Sequence, residues 1–360
     1  MEDDFVIRDF AIPDFVPFDF AMTSNIRYAA PVSPLVIPQN ERGRKKKALS
    51  TDLAITIVGA GRLGSALALA LHEFGFTVGE IIARDSGVSL RRTKRFALKV
   101  GARGTTMRLA SLDSGLLDSG IIWICVPDRE IRNVALALVE RLAVLEKTTR
   151  KNSSHIRFAF HSSGALDSTA LTALREHGIA VASVHPLMTF VGGVMPSFKG
   201  VPIAIDGDRT ARQMARRIVS KLGGKAIPLR TANKAAYHAW ATMTSPLLVA
   251  YLVTLEEAAS IAGLNKRDAR RMSLPIIQQT LANYSSRGPA ESFSGPIIRG
   301  DVDTVSGHLT ALKRSPRVHA IYRELAQMAV NKLPANNKRK LRSLFNAQQE
   351  KVSDKTEPKV

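Results

Sequence analysis

The sequence of 360 residues predicts an α/β protein in which a doubly wound parallel sheet is followed by an all-helical C-terminal domain. Three observations predict this architecture. Short apolar runs alternate with amphipathic segments between residues 53 and 229, which is typical of strand–helix alternation. A glycine-rich turn joins the first strand to the first helix. From about residue 233 onward only helical periodicity remains, so helices follow the sheet.

The predicted elements follow the apolar pattern along the chain. Strands are expected at 53–58, 77–83, 121–126, 156–161, 179–184, 201–205 and 226–229. Helices are expected at 63–74, 90–100, 129–142, 168–176, 209–222, 233–262, 268–283, 302–313 and 318–332, with a last helix near 338–347. We therefore expect a disordered extension at 1–50, a sheet domain at 51–230, a helical substrate and dimerisation domain at 231–333 and a basic tail, partly helical or disordered, at 334–360.

The turn after the first strand carries the most specific motif. It reads Gly59-Ala60-Gly61-Arg62-Leu63-Gly64. The first glycine allows a tight turn, the second lets the backbone approach a pyrophosphate, and the third lets the helix pack on the strand. The N-terminus of the following helix offers N–H groups and partial positive charge to phosphates. The motif and its flanking elements predict a Rossmann-type dinucleotide-binding domain, with the whole turn as cofactor contact.

The end of the second strand predicts which dinucleotide binds. An acidic residue there would bind the ribose 2′-hydroxyl of NAD, whereas Arg84 can bind a 2′-phosphate by charge-assisted hydrogen bonds. Arg62 adds a second cation, so we expect NADP(H). Asp85 would favour NAD if it pointed inward, and FAD uses a similar glycine turn. Val126 and Pro127 end a later strand and are expected near the cofactor ribose; the adjacent aspartate would serve equally as a helix cap.

Two further strands end in polar residues, which places them at the same rim. His161, Ser162 and Ser163 follow one strand and His185 follows the next. Ligands of such sheets bind at the carboxyl ends of the strands, so we expect these residues to line the active cleft, with Ser162 near the cofactor. Hydrogen-bonded core histidines are the alternative. No metal-ligand spacing such as HxxxH is present, so no metal is expected.

The helical region supplies three more candidates. Lys234 and His238 lie four residues apart and therefore on one helix face, where either can donate a proton to a carbonyl or imine. Arg299 lies in a Gly- and Pro-containing loop and can hold a substrate carboxylate; an internal ion pair with Asp301 is the alternative.

Several of these motifs together resemble one family. The motifs are His-Ser-Ser-Gly, His-Pro-Leu-x-Thr-Phe, Tyr-His-Ala and Gly-Pro-x-x-Arg-Gly-Asp, in this order after the glycine turn. Over about 53–332 the chain is similar to NADP oxidoreductases that join a Rossmann-like domain to a C-terminal domain of unknown function. That family is related to pyrroline-5-carboxylate reductase, ketopantoate reductase and the β-hydroxyacid dehydrogenases, and the resemblance implies a helical domain like that of 6-phosphogluconate dehydrogenase. In the β-hydroxyacid dehydrogenases a Lys-x-x-x-Asn pair is used; here Lys234 matches and His238 departs.

Composition limits the partners. The net charge is +20, yet the basic residues cluster in short flanking runs, so nucleic-acid binding is disfavoured though not dismissed. The single cysteine, Cys125, excludes an internal disulfide, and an acidic N-terminus argues against a signal peptide, so we expect a cytoplasmic protein without a membrane span. Asp-Phe pairs recur at five-residue spacing in the first 20 residues, and a partner-docking role there is an alternative to plain disorder. The apolar segment 246–253 predicts a homodimer interface.

These observations predict an NADP-dependent oxidoreductase that transfers a hydride between NADPH and a small keto or imino acid. The alternative is a non-catalytic NADP-binding sensor or scaffold.

Overall fold

The structure is a computed structural model that describes residues 53–106, 108, 119–149, 156–191 and 197–353. The predicted N-terminal extension lies outside these residues. The described strands are β1 (Ile55–Val58), β2 (Val78–Ala83), β3 (Arg103–Thr106), β4 (Ile121–Ile124), β5 (Phe158–His161), β6 (Ala180–Pro186), β7 (Pro202–Gly207) and β8 (Lys225–Pro228). The helices of the sheet region are α1 (Arg62–Glu73), α2 (Gly87–Ala97), α3 (Asp128–Thr149), α4 (Thr172–Glu176) and α5 (Arg209–Lys221).

A second set of helices follows the last strand. They are α6 (Lys234–Thr244), α7 (Pro246–Ile261), α8 (Lys266–Ser292), α9 (Pro296–Arg299), α10 (Val302–Leu312), α11 (Pro316–Lys332) and α12 (Lys338–Ser353). The single helix expected over 233–262 is divided at Ser245, because Pro246 has no backbone N–H and favours the first position of a new helix. The prediction of α/β architecture followed by helices is confirmed.

The strands form one sheet in the order β3-β2-β1-β4-β5-β6-β7-β8. All neighbouring pairs from β3 to β6 are parallel. The order in which strands are added reverses at β1, because β2 and β3 lie on one side of it and β4 to β6 on the other, as a doubly wound sheet requires. The predicted doubly wound parallel sheet has one antiparallel pair, since β7 runs antiparallel to β6. The described residues between these two strands form no helix, and a parallel pair needs a crossover that usually contains one.

Helices cover both faces of the sheet. On one face α1, α2 and α5 pack on apolar side chains that include Trp123 and Phe160. On the other face α3 and α4 pack on Val58, Ile122 and Ala159. Continuous apolar strands follow from this arrangement, because every strand in the centre is buried from both sides. Because the helices cover the faces of the sheet and not its ends, the carboxyl ends of β1, β2, β4 and β5 form the open rim of the domain.

Helices α10, α11 and α12 form a third core. Its buried residues include Leu309, Val330, Leu341 and Phe345, so the helix of the predicted basic tail is anchored by two side chains. By contrast, α7 and α8 leave large apolar side chains exposed, among them Val249 at 59% exposure. Among the described residues no single helix is long and apolar enough to cross a membrane, although the pair Thr231–Ile261 and Lys266–Arg299, bent by 119°, meets the same test of length and composition.

Candidate functional site

The glycine turn between β1 and α1 has a different reason for each glycine. Gly59 has a φ of +108°, and a Cβ there would lie 2.4 Å from the carbonyl oxygen of Cys125. A Cβ at Gly64 would lie 1.9 Å from the carbonyl oxygen of Gly59, so helix and strand touch there. Gly61 faces open space, with nothing within 4 Å of its Cβ position. The tight turn at Gly59, the open space at Gly61 and the close packing at Gly64 are the three features that the dinucleotide fingerprint requires.

A cavity of about 710 Å³ opens above this turn. It lies at the carboxyl ends of β1, β2 and β4. Its lining includes Gly59, Gly61, Arg62, Ser65, Arg84, Ser86, Ser89, Arg92, Val126, Pro127 and Arg129. Since α1 has no side-chain cap at its N-terminus, its first N–H groups stay available at the turn. The volume is in the range of small-molecule and cofactor sites.

Arginines give this cavity a positive character. Arg84 is exposed at its rim and makes no ion pair with the described residues. Asp85, which would have favoured NAD, is instead paired with Arg108 at 2.5 Å. Arg62 reaches across the turn, where its Nη1 lies 3.5 Å from the carbonyl oxygen of Phe190 in the segment after β6. The structure therefore leaves Arg84 available at the end of β2 and engages the adjacent acid elsewhere.

Six of the predicted cofactor residues line this cavity together, and three do not. The six are Gly59, Gly61, Arg62, Arg84, Val126 and Pro127. Gly64 packs against the carbonyl oxygen of Gly59 within the turn, and Leu63 is half-buried in α1. Ser162 lies at the end of β5, where its Oγ accepts a hydrogen bond of 2.9 Å from the indole N–H of Trp123.

His161 and Ser163 both hold the turn after β5 in shape. His161 is fully buried; Nε2 donates to the carbonyl oxygen of Asp167 at 2.9 Å, because Nδ1 accepts the backbone N–H of Ser163 at 3.2 Å. Burial lowers the pKa of His161 to about 4, so the ring is neutral. The Oγ of Ser163 accepts two backbone N–H groups, from Ala165 and Leu166. The geometry matches the alternative of hydrogen-bonded core residues for both.

His185 and His238 meet next to this turn. Their ring centroids are 6.2 Å apart, and the rings are nearly perpendicular. Both are half-buried, and Gly164 fits between them: a Cβ there would lie 2.7 Å from Nε2 of His185 and 2.5 Å from Cδ2 of His238. The hydroxyl of Tyr237 lies 2.9 Å from Nδ1 of His185. We call these four residues the histidine cluster.

Lys234 does not face the open rim. Its side chain is 3% exposed, and its Nζ donates to Oγ of Ser183 at 2.6 Å and lies 3.8 Å from Oδ2 of Asp206. Burial lowers the pKa of Lys234, and the carboxylate of Asp206 opposes that effect. Ser183 is in register with His161 on one side and Asp206 on the other, so this lysine sits over a polar row within the sheet. In this structure Lys234 therefore links α6 to the sheet through buried contacts with Ser183 and Asp206.

Arg299 is engaged with its neighbour. Its Nε donates to Oδ2 of Asp301 at 2.9 Å, which is the alternative that the sequence left open. Among the described residues no group of three or more histidine, cysteine or acidic side chains is placed to hold a metal ion.

The cavity and the histidine cluster are joined through two strand ends. Cys125 lines the cavity wall, and the backbone N–H of Ser162 donates to the carbonyl oxygen of Ile124, the residue before Cys125, at 3.3 Å. Burial raises the pKa of Cys125 to about 12, so it stays a thiol. Two residues beyond Ser162, Gly164 contacts the histidines. A molecule in the cavity thus lies one strand away from the cluster.

Sequence reasoning missed several residues of this site. Ser86, Ser89 and Arg92 line the cavity; Ser86 caps α2 by accepting the N–H of Ser89, and that Ser-x-x-Ser pattern was the available signal. Tyr237 lay beside a predicted residue, but only the packing of α6 on β6 shows which residue it contacts. Nothing in the sequence marked Asp206 as the partner of Lys234.

The fold and the glycine turn define a two-part protein with a nucleotide-binding type of sheet and a helical C-terminal region. Family profiles match both parts: a Rossmann-like domain over residues 39–186, and a domain of unknown function, DUF2520, over residues 201–329. The chain is thus a protein that joins a Rossmann-like domain to a DUF2520 domain, which confirms the resemblance. The second match begins just before β7, so the last two strands of the sheet fall within it.

Solved structures share this fold. A protein from Bacteroides fragilis, provisionally named an NADP oxidoreductase, is 21% identical with a TM-score of 0.59, over 77% of this chain and 98% of that one. A protein from Thermotoga maritima is 20% identical with a TM-score of 0.59, over 82% and 100%. An imine reductase from Myxococcus stipitatus in complex with NADP+ is 16% identical with a TM-score of 0.53, over 77% and 94%. No curated protein matches the sequence.

Proposed function

We propose that this protein is an NADP-dependent oxidoreductase that transfers a hydride between NADPH and a small keto or imino acid. One observation carries the proposal: the arginine-lined cavity over the glycine turn reaches the carboxyl end of β4, and the next two strands of the sheet, β5 and β6, bring Gly164 and His185 of the histidine cluster to the same edge. The fold shared with an imine reductase that binds NADP+ supports it. Binding and proton transfer would thus be handled by neighbouring groups.

The residues of the cavity suit this cofactor. Gly61 leaves space for a pyrophosphate, and the uncapped N-terminus of α1 supplies N–H donors and positive potential. Arg84 is placed to bind the 2′-phosphate, with Ser86 and Arg92 on the same wall. When bound, NADPH supplies the hydride.

The exposure of the two candidate side chains decides which of them we assign as the proton donor. The sequence left Lys234 and His238 as alternatives; His238 is half-buried beside Gly164, whereas Lys234 is enclosed and bonded to Ser183. We therefore assign proton donation to the imidazole of His238, since histidine is the side chain used most often for general acid–base catalysis. Arg299 could hold a substrate carboxylate only by exchanging Asp301 for it, and we place that role at the site of a neighbouring subunit.

The cofactor assignment is tested by Arg84→Asp. Losing a charge-assisted contact worth roughly 1.5–3 kcal/mol should weaken NADPH binding by about 10–150-fold and NADH binding little. The matched control is Arg95→Asp, because Arg95 is exposed on α2 and does not line the cavity. Fluorescence titration of both nucleotides measures the effect; equal losses for NADPH and NADH would refute the assignment.

A non-catalytic sensor or scaffold is the second candidate. It is favoured by a specific observation: Lys234, His161 and Arg299 are all engaged by protein groups. A panel of small ketones, keto acids and cyclic imines separates the two functions. NADPH consumption with any of them supports the reductase, whereas NADPH binding without consumption across the panel supports the sensor.

A homodimer completes the proposal. The segment expected to form the interface belongs to α7, and Leu247, Leu248, Val249 and Val253 are all at least 40% exposed in the single chain. Exposed apolar surface of this extent is typical of a subunit interface. We propose that a second copy covers it.

A further inference from the structure

Tyr237 is a residue of α6 that the proposed reaction has not used. Its hydroxyl lies 2.9 Å from Nδ1 of His185, and the two rings are perpendicular with centroids 5.6 Å apart. Among the described residues His185 is the one hydrogen-bond partner of this hydroxyl. A hydroxyl that donates to one ring nitrogen of a neutral histidine leaves the histidine's hydrogen on the other ring nitrogen.

Both partners are uncharged near neutral pH. Burial raises the pKa of Tyr237 to about 12, so the phenol keeps its hydrogen. Burial, with the positive charge of Lys234 next in importance, lowers the pKa of His185 to about 4. A phenol O–H is a stronger hydrogen-bond donor than the N–H of a neutral imidazole, and an imidazole nitrogen is a stronger acceptor than a phenol oxygen. The favoured arrangement is therefore the tyrosine hydroxyl donating to Nδ1, which leaves the hydrogen of His185 on Nε2.

Two contacts hold α6 against β6 and limit the freedom of this pair. Lys234 bonds Ser183, and three residues later Tyr237 bonds His185, which lies two residues beyond Ser183 on the strand. Three helical residues advance about 4.5 Å and two strand residues about 6.6 Å. The spacings are similar enough for both bonds to form at once, so the phenol is held at Nδ1.

The other ring nitrogen of His185 lies beside Gly164 and His238. Nε2 of His185 is 2.7 Å from the Cβ position of Gly164, and Cδ2 of His238 is 2.5 Å from the same position. Gly164 lies two residues beyond Ser162, whose backbone N–H donates to the carbonyl oxygen of Ile124, the residue before the cavity-lining Cys125. A hydrogen on Nε2 therefore lies next to Gly164 and to His238, the proposed proton donor.

We propose that Tyr237 is a positioning residue that donates its hydroxyl hydrogen to Nδ1 of His185 and so makes Nε2–H of His185 the hydrogen-bond donor for a substrate's carbonyl oxygen or imine nitrogen. The identity of that acceptor rests on the proposed reductase function. The tautomer of His185 does not, and it can be measured on the protein alone.

The tautomer is read by two-bond proton–nitrogen NMR on protein labelled with nitrogen-15 histidine, in which protonated and bare ring nitrogens have well-separated shifts. His185 is assigned by the signal lost in His185→Gln. In the wild-type protein at neutral pH we expect the Nε2–H tautomer. In Tyr237→Phe we expect the His185 nitrogen shifts to move towards an average of the two tautomers.

The chain offers a matched control. Tyr322 and His308 form the same pair, with the hydroxyl 2.9 Å from Nδ1 and perpendicular rings, but away from the cluster between α10 and α11. Tyr322→Phe should move the His308 signals and leave those of His185 unchanged. The wild-type spectrum decides the tautomer even if a variant fails to fold.

Turnover provides the second readout. Tyr237→Phe should lower kcat about tenfold at unchanged NADPH affinity, while Tyr322→Phe leaves kcat unchanged. An Nδ1–H tautomer in the wild type, unchanged His185 shifts in Tyr237→Phe, or unaltered kcat would each overturn the inference. If none of the substrates tested leads the wild type to consume NADPH, the proposed function fails, and so does the proposed hydrogen bond from His185 to a substrate. The NMR result still decides the tautomer in that case.

Discussion

Replacing Lys234 by methionine tests whether the buried link between α6 and the sheet stabilises the protein. The side chains of Lys234 and Asp206 are 3% and 2% exposed, and Nζ lies 3.8 Å from Oδ2 of Asp206, an oxygen without a hydrogen-bond partner among the described residues. Methionine has a similar length and no charge, so Lys234→Met leaves that carboxylate buried without a cation. The hydrogen bond to Ser183 is lost as well.

The expected cost follows from that geometry. Breaking a buried ion pair by removing one partner costs about 3–5 kcal/mol. A change of 1 kcal/mol lowers the Tm by about 2–4 °C in a domain of 150–250 residues, so we expect a fall of roughly 6–20 °C. Urea unfolding at neutral pH, followed by circular dichroism, gives the free energy of unfolding directly.

A double-mutant cycle isolates the pair from other effects. Asp206→Asn removes the acid, and Lys234→Met with Asp206→Asn removes both charges. The double variant should be more stable than the sum of the single losses predicts, by at least about 1 kcal/mol. Lys332→Met, at an exposed lysine of α11, should change stability by no more than about 0.5 kcal/mol. A loss below about 1 kcal/mol for Lys234→Met, or additive single losses, would refute the reasoning.

Turnover in the same variants separates two roles of Lys234. A role in holding α6 predicts that turnover recovers with stability in the double variant. A role as proton donor predicts that turnover stays lost, because methionine cannot donate a proton.

Two other expectations concern acid stability and assembly. Because the folded-state pKa of His161 is lowered to about 4 from 6.5, its contribution is complete above pH 6.5 and is lost as the pH falls towards 4, by about 3 kcal/mol at most. Urea unfolding across this pH range should therefore show a shallower fall for His161→Asn than for the wild type, and parallel curves would contradict the lowered pKa. Val249→Glu on the exposed face of α7 should convert a dimer into a monomer in light scattering; Glu324→Gln, on an exposed surface of α11, is the control, and an unchanged mass would remove α7 from the interface.

Much of the fold could be predicted from the sequence because it depends on local pattern. The glycine turn and the alternating apolar runs place β1, α1, β2 and β4 to within a few residues, since apolar period and glycine conformation are properties of short segments. β3 was missed because Arg103–Thr106 is short and polar at its start. The antiparallel direction of β7 was not predicted, because strand direction depends on the connection before the strand, and that connection carries no sequence pattern of its own.

In the candidate site, too, some residues could be placed from local sequence pattern and others only from the packing. Gly59, Gly61, Arg62 and Arg84 could be placed at one cavity because each lies at or next to the end of a strand in the motif. Lys234 was expected to face the cleft from its helix spacing, its place at the domain boundary and the family resemblance. Which side of α6 faces β6 is set by packing, and the packing puts this lysine over Ser183 and Asp206.

By itself, the sequence determined the class of fold, the nucleotide-binding type of turn and the basic residue after β2, because these depend on local conformation and on the order of the elements. Only the tertiary structure decided the partners. It paired Asp85 with Arg108, Arg299 with Asp301, and Tyr237 with His185. The first and last of these pairs form between side chains brought together by the packing of strands and helices, and a buried or exposed position then decides whether each group keeps its charge or its hydrogen.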